Sequence, residues 1–207
     1  SLVDINLAGG EPFLRMDIVQ IIKNVKKACP KARLTLITNG FLPHVIKKRI
    51  DDIYKIDPKI GLRVSLDGMA QTHYHTRRIP DAFNLVSQTI DIFKKSGIKD
   101  LGIGFTCMDH NIKELPIVHE FATSQGMEFS VTMATSSPIT FGENKHLFRP
   151  QNHNLFAKTL NRVINKRFQT INPKEWIRGW FESKLIEYHK TGIRNLTCDA
   201  GDGFFYL

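Results

Sequence analysis

The feature that most constrains the fold is a regular alternation of strand-like and helix-like segments along the first two thirds of the chain. Segments with apolar residues at helical spacing separate five short runs with strand character, which are residues 2–7, 33–37, 61–66, 101–106 and 128–133. Repeated strand–helix units predict an α/β fold built on a parallel sheet. The alternation alone leaves open whether this sheet is doubly wound or part of a barrel.

The pattern changes after residue 133. A loop rich in serine, threonine, proline and glycine leads into two predicted helices, the first over residues 154–168. The second begins at Asn172 and Pro173, a favoured combination of cap and first helical residue. Its apolar residues are predicted to point into a core, and they are Trp176, Ile177, Trp180, Phe181, Leu185 and Tyr188.

Composition narrows the class of protein. The 207 residues are 42% hydrophobic, which is enough to bury a core without disulfides or metals. No apolar run reaches the roughly 18 residues that a membrane span needs, so no membrane association is expected. Cys29, Cys107 and Cys198 are too few and too widely spaced for a disulfide framework, which favours a reducing cytoplasm.

The positive charge is concentrated near the C-terminus. Residues 143–194 contain 11 lysine and arginine residues against 4 acidic ones, in a chain of net charge +9. Lys158, Arg162 and Lys166 lie opposite the apolar face of the first C-terminal helix. A basic face can bind nucleic acid, but a solvated helix surface is the favoured interpretation, because Trp176 and Trp180 are predicted to lie in the core.

Small and polar residues follow the predicted strands, where parallel α/β folds bind their ligands. These turns are Gly9-Gly10-Glu11-Pro12, Thr38-Asn39-Gly40, Ser65-Leu66-Asp67-Gly68, Thr106-Cys107 and Thr132-Met133-Ala134. Paired glycines let a ligand approach the backbone closely, and an acidic side chain beside them can hold an ammonium group. Together the turns predict a ligand site along this edge of the sheet.

In order, spacing and strand placement, the first three of these turns, Gly9-Gly10-Glu11-Pro12, Thr38-Asn39-Gly40 and Ser65-Leu66-Asp67-Gly68, resemble the radical S-adenosylmethionine (SAM) enzymes. The stretches His73-Tyr74-His75-Thr76-Arg77 and Asn111-Ile112-Lys113-Glu114-Leu115 extend the resemblance, which covers about residues 1–135. It implies a partial (β/α)6 TIM-like barrel, lacking its first βα unit, followed by C-terminal helices. Residues 1–136 would form this core and 137–194 a loop with two basic amphipathic helices.

The resemblance also implies contacts to SAM. The loop of Gly9, Gly10, Glu11 and Pro12 would bind the methionine amino group through backbone carbonyls and the Glu11 carboxylate. Arg77 would pair with the SAM carboxylate, for which a planar guanidinium is suited. Thr38, Asn39 and Ser65 would contact the ribose or the carboxylate of SAM. The backbone near Thr106 and Met133 would line the adenine of SAM. Asp67 would fix its turn or face the substrate.

The family's chemistry requires a C-x3-C-x2-C motif that holds a [4Fe–4S] cluster, and the three cysteines here do not have that spacing. The motif precedes the Gly-Gly-Glu-Pro turn in the family. The chain is therefore expected to be a fragment that is inactive alone, while the parent protein would cleave SAM reductively to a 5′-deoxyadenosyl radical that abstracts hydrogen from a substrate.

Residues 195–207 resemble the start of a SPASM or twitch-type extension, in which Cys198 would ligate an auxiliary Fe–S cluster. Such an extension favours a peptide or protein substrate. Two other functions stay open: a non-catalytic α/β module that binds a SAM-like ligand, and a tRNA-modifying enzyme that uses the basic helices.

Overall fold

The computed structural model describes residues 2–134 and 150–193, and the chain divides into two compact units, Ser1–Arg149 and Pro150–Leu207. The predicted core boundary at residue 136 and the whole of 195–207, with Cys198, lie outside the described residues. These domain assignments stay predictions.

The first unit is a parallel sheet with helices between its strands, as predicted. Its strands are β1 (Asp4–Leu7), β2 (Arg33–Thr38), β3 (Gly61–Ser65), β4 (Asp100–Cys107) and β5 (Glu128–Met133). Its helices are α1 (Ile18–Ala28), α2 (Pro43–Ile56), α3 (Ala70–Arg77), α4 (Ala82–Lys95) and α5 (Leu115–Ser124), with short 3-10 turns at Pro12–Leu14 and Ile112–Glu114. The strand order β1-β2-β3-β4-β5 follows the chain, and the sheet curls into a half-barrel.

The two faces of the sheet differ in chemistry. Apolar side chains such as Leu36, Leu62 and Leu101 are in register on the buried, helix-covered face. The other face, called the concave face below, is polar except for Ile37 and three glycines. Its residues are Asp4, Asn6, Arg33, Thr35, Ile37, Gly61, Arg63, Ser65, Asp100, Gly102, Gly104, Thr106, Glu128, Ser130 and Thr132. Because side chains alternate along a strand, register alone separates the two sets.

One helix of the first unit is not evident from the sequence pattern. Helix α3 covers Ala70–Arg77, a stretch that the sequence marked only through the family resemblance of residues 73–77. Arg78 caps the carboxyl end of the helix, and its φ of 58° is in the left-handed region. Its polar composition explains the difference, because a helix with little apolar periodicity gives a weak sequence signal.

The second unit consists of α6 (His153–Phe168) and α7 (Pro173–Thr191). The predicted start of α7 is confirmed: Asn172 caps it by accepting a hydrogen bond from the Lys174 N–H at 3.1 Å, and Pro173 is its first residue. None of the described helices is long and apolar enough to cross a bilayer.

The predicted orientation of α7 is wrong. The exposed fractions of Trp176, Trp180 and Phe181 are 46%, 45% and 53%, and Ile177 is also exposed. The cause is Arg167 of α6, whose fully buried guanidinium is paired with two glutamates of α7. Glu175 and Glu182 must therefore face α6, and the helical period then turns the aromatic residues outward.

Candidate functional site

Glu11 joins the turn after β1 to the turn after β2. Its Oε1 accepts a hydrogen bond from the Thr38 hydroxyl at 2.8 Å and one from the Phe13 N–H at 3.1 Å. Its Oε2 accepts a hydrogen bond from the Asn39 N–H at 2.7 Å. The Thr38 hydroxyl in turn accepts a hydrogen bond from the Gly40 N–H. These contacts fix both turns relative to each other.

The glycine pair before Glu11 leaves its backbone open. Gly9 has a φ of 131°, which disfavours any other residue. A Cβ added at Gly9 or Gly10 would meet no atom within 4 Å. A ligand can therefore approach this part of the backbone without displacing a side chain.

Asp67 is the centre of a second cluster. Its fully buried carboxylate accepts hydrogen bonds from the Thr106 N–H at 2.9 Å and from Arg77 Nε at 2.6 Å. Its own N–H donates to Nδ1 of His73 at 3.2 Å. These contacts hold the turn at Asp67 in place, and its carboxylate is fully buried.

Asn111 and Glu114 hold this cluster from the turn after β4. The Asn111 amide donates to the backbone oxygens of Asp67 and Thr106 at 3.0 and 2.9 Å. Glu114 accepts hydrogen bonds from the Met69 N–H and the Thr72 hydroxyl, both at 2.5 Å, at the start of α3. The sequence marked these two residues only through the family resemblance, because their partners Asp67, Met69 and Thr72 are 42 to 45 residues away in the chain.

Arg77 is held at one end only. Its Nε is bound to Asp67, its side chain is 30% exposed, and its two terminal nitrogens have no hydrogen-bond partner among the described residues. Beside it, burial lowers the pKa of His73 to about 4, although the Asp67 carboxylate opposes this shift. His73 is therefore neutral at physiological pH, with Nδ1 as an acceptor.

The other predicted SAM contacts have different surroundings. Ser65 is partly exposed on the concave face, and its hydroxyl has no partner among the described residues. Asn39 uses its side-chain oxygen to accept a hydrogen bond from the Phe41 N–H. Both backbone groups of Thr106 are occupied by Asp67 and Asn111, and Met133 is almost buried at the end of β5. The structure thus joins Glu11 to Thr38 and Asn39 in one cluster, and Asp67 to Arg77 and Thr106 in another.

The described cysteines do not suit an iron–sulfur cluster. Burial, reinforced by the charge of Asp109, raises the pKa of the Cys107 thiol to about 12, so it is protonated and inert. Cys29 lies at the end of α1. Within residues 2–134 and 150–193, no three histidine, cysteine or acidic side chains lie close enough together to hold a metal ion.

Comparison with known proteins identifies the first unit. Residues 2–122 match the family model of the radical SAM superfamily. A probable GTP 3′,8-cyclase of Methanocaldococcus jannaschii is 34% identical over 216 residues, covering 95% of this chain and 66% of the relative. A probable GTP 3′,8-cyclase of Methanococcus maripaludis is 29% identical, with the same two coverages. The chain thus spans slightly less than two thirds of the length of these relatives.

Solved structures share the fold. Native anSMEcpe with bound AdoMet and Cp18Cys peptide superimposes with a TM-score of 0.63 at 16% identity, covering 94% of this chain and 55% of that one. SuiB of Streptococcus suis also has a TM-score of 0.63, at 17% identity, covering 80% of this chain and 36% of that one. At these identities the likeness concerns the fold alone.

Proposed function

Because the chain belongs to the radical SAM superfamily, we propose that it is the SAM-binding part of an enzyme that cleaves SAM reductively and uses the resulting radical to abstract hydrogen from a substrate. The family's cofactors are SAM and a [4Fe–4S] cluster. The described cysteines do not fit that cluster, so no electron-transfer step is assigned to this chain, which we expect to be inactive alone.

The observation that carries this proposal is the anchored guanidinium of Arg77. With Nε bound to Asp67, the two terminal nitrogens form a fork whose direction is set before any ligand arrives. A fork of this kind recognises a carboxylate through two parallel hydrogen bonds. Because the fork is already oriented, little side-chain entropy is lost on binding. We assign it to the carboxylate of SAM.

Glu11 and the glycine pair suit the other end of an amino acid. A carboxylate offers about four acceptor positions, and the structure fills three of those on Glu11. The remaining position on Oε2, together with the open backbone of Gly9 and Gly10, supports binding of the methionine ammonium group. The hydroxyl of Ser65 is available for the ribose or carboxylate.

Binding of SAM to Arg77→Gln, compared with Arg78→Gln, tests this proposal. Arg78 is the matched control, because it is the adjacent residue and carries the same charge. Loss of a bidentate charged contact should weaken SAM binding in Arg77→Gln by about 10- to 100-fold in calorimetry. The Arg78 variant should bind like the unaltered chain. Equal affinities in all three proteins would contradict the assignment.

A nucleic-acid substrate is a second candidate, supported by the outward orientation of α7. Trp176, Trp180 and Phe181 are exposed, and exposed aromatic rings can stack on bases. The basic residues Lys158 and Arg162 of α6 are also exposed. The test is tRNA binding at several salt concentrations, since phosphate contacts make the logarithm of affinity fall linearly with that of salt. Salt-independent or absent binding would remove this candidate.

The relatives offer two further substrate classes. The curated relatives bear the name GTP 3′,8-cyclase, and a solved neighbour contains a bound peptide. We therefore consider both a nucleoside triphosphate and a peptide or protein as substrates of the whole enzyme. The chemistry of the concave face bears on this choice.

A further inference from the structure

A continuous row of ion pairs crosses the amino-terminal half of the concave face. Arg33 of β2 contacts Oδ2 of Asp100 on β4 at 2.8 Å, through its NH2 group. The other oxygen of Asp100 lies 2.6 Å from NH2 of Arg63 on β3. The same nitrogen of Arg63 donates to Glu128 of β5 at 2.8 Å. The charges therefore alternate in sign along this chain of contacts, whose four members come from four strands.

Two glycines allow these side chains to lie flat across the sheet. A Cβ at Gly61 would stand 2.9 Å from Oδ2 of Asp100, and a Cβ at Gly102 would stand 2.8 Å from Cδ of Arg63. Any larger residue at either position would push the ion pairs away from the sheet. The row of Arg33, Asp100, Arg63 and Glu128 therefore lies flat against the sheet, and we call it the floor of the concave face.

The floor is slightly acidic. Asp4 lies 3.9 Å from NH1 of Arg33, so the concave face carries three carboxylates and two guanidinium groups among the described residues, a net charge of −1. Arg63 is the less exposed of the two arginines and is bound by two carboxylates. Both guanidinium groups are therefore neutralised by protein carboxylates before a ligand arrives.

The carboxyl-terminal half of the same face is uncharged. Ser65, Thr106, Ser130 and Thr132 lie there around Gly104, and all four hydroxyl-bearing residues are exposed or partly exposed. Hydroxyl groups both donate and accept hydrogen bonds, so this half suits an uncharged polar group. It lies next to the ends of β3 and β4, where the Asp67 and Arg77 cluster is located.

We propose that Asp100 and Glu128 determine substrate specificity by keeping phosphate off the concave face, which instead takes an uncharged, hydrogen-bonding group of the substrate. The inference rests on the proposed function, because it concerns the substrate of that same site. A phosphate chain at the floor would have to displace a carboxylate from Arg63 or lie against Glu128, and like charges in contact oppose binding. The group that reaches this face is therefore free of phosphate.

The test uses the whole chain and inorganic tripolyphosphate as the probe, at constant ionic strength. In the double variant Asp100→Asn with Glu128→Gln, Arg63 loses both of its carboxylate partners, while Arg33 keeps only Asp4 at 3.9 Å. Tripolyphosphate affinity should rise by at least about tenfold over the unaltered chain. Adding Arg63→Gln to the double variant should abolish this gain in affinity. That result would distinguish binding at the floor from binding to the basic residues of the second unit. Glu128→Gln alone, which keeps the Arg63–Asp100 pair, should give a smaller gain and serves if the double variant does not fold.

Two results would overturn the inference: no gain in any correctly folded variant, or tight binding to the unaltered chain that Arg63→Gln removes. The same samples are titrated with SAM, whose predicted contacts the floor substitutions leave intact. Absence of SAM binding in every sample would refute the proposed function whatever the phosphate result. Intact SAM binding with no phosphate gain would refute the specificity inference alone.

Discussion

Replacing Asp67 by asparagine should destabilise the first unit, because the structure uses both carboxylate oxygens in a buried place. The asparagine oxygen can still accept the hydrogen bond from the Thr106 N–H. Its NH2 group would then face Arg77 Nε, now 2.6 Å from a carboxylate oxygen, and two donors would oppose each other. Breaking a fully buried ion pair costs about 3–5 kcal/mol. Since Arg77 is 30% exposed and can turn partly to water, we expect a loss of about 2–3 kcal/mol.

Urea denaturation measures this loss. With a dependence of about 2 kcal/mol per molar urea, the unfolding midpoint of Asp67→Asn should fall by about 1 M. Asp17→Asn is the matched control, because Asp17 forms two hydrogen bonds with Arg15 at 2.9 and 2.8 Å on the exposed surface. Its midpoint should not move measurably. Equal midpoints for the two variants would refute the claim that burial makes the Asp67–Arg77 pair important.

Two further predictions concern stability. Gly40→Ala should lower the free energy of unfolding by about 2–4 kcal/mol in a thermal melt, because φ is 77° and the new Cβ would stand 2.7 Å from Val64 Cγ2. The control Gly126→Ala, with φ of 69° and no atom within 4 Å of the new Cβ, should lower it by only about 1 kcal/mol. Equal losses in the two variants would contradict the packing argument. His73 must be neutral in the folded protein, whereas in the unfolded chain it takes up a proton below about pH 6.5. The free energy of unfolding should therefore be highest above pH 6.5 and should fall by about 3 kcal/mol as the pH is lowered toward 4. Denaturation midpoints across that range should depend less on pH in His73→Gln than in the exposed-site control His44→Gln, and parallel profiles would count against a buried neutral histidine.

The strands and their parallel arrangement could be predicted because their signals are local. An apolar run followed by glycine or asparagine indicates where a strand ends, and helices between the runs require parallel connections. The same local signals placed Gly9, Asn39 and Asp67 at one edge of the sheet. The cap at Asn172 was equally predictable, since a cap depends on residues within one turn of each other.

The partners of the polar side chains could not be predicted in the same way. Glu11 suggested an ammonium site in the sequence, and the structure shows that three of its acceptor positions bind Phe13, Thr38 and Asn39. Arg77 suggested a carboxylate ligand, and only the fold shows that Asp67 holds its Nε and leaves the other nitrogens available.

The sequence alone determined the α/β alternation, the edge of the sheet where the polar turns gather, and the family to which those turns point, because each depends on residues close together in the chain. Tertiary structure decided which groups meet. Arg63 and Glu128 are 65 residues apart, and parallel register places them on one face of the sheet. One buried arginine, Arg167, set the rotation of α7 against its apolar pattern. Leaving a buried guanidinium without carboxylate partners costs more free energy than leaving aromatic side chains exposed to water. The periodicity of apolar residues does not show which of these two costs is larger.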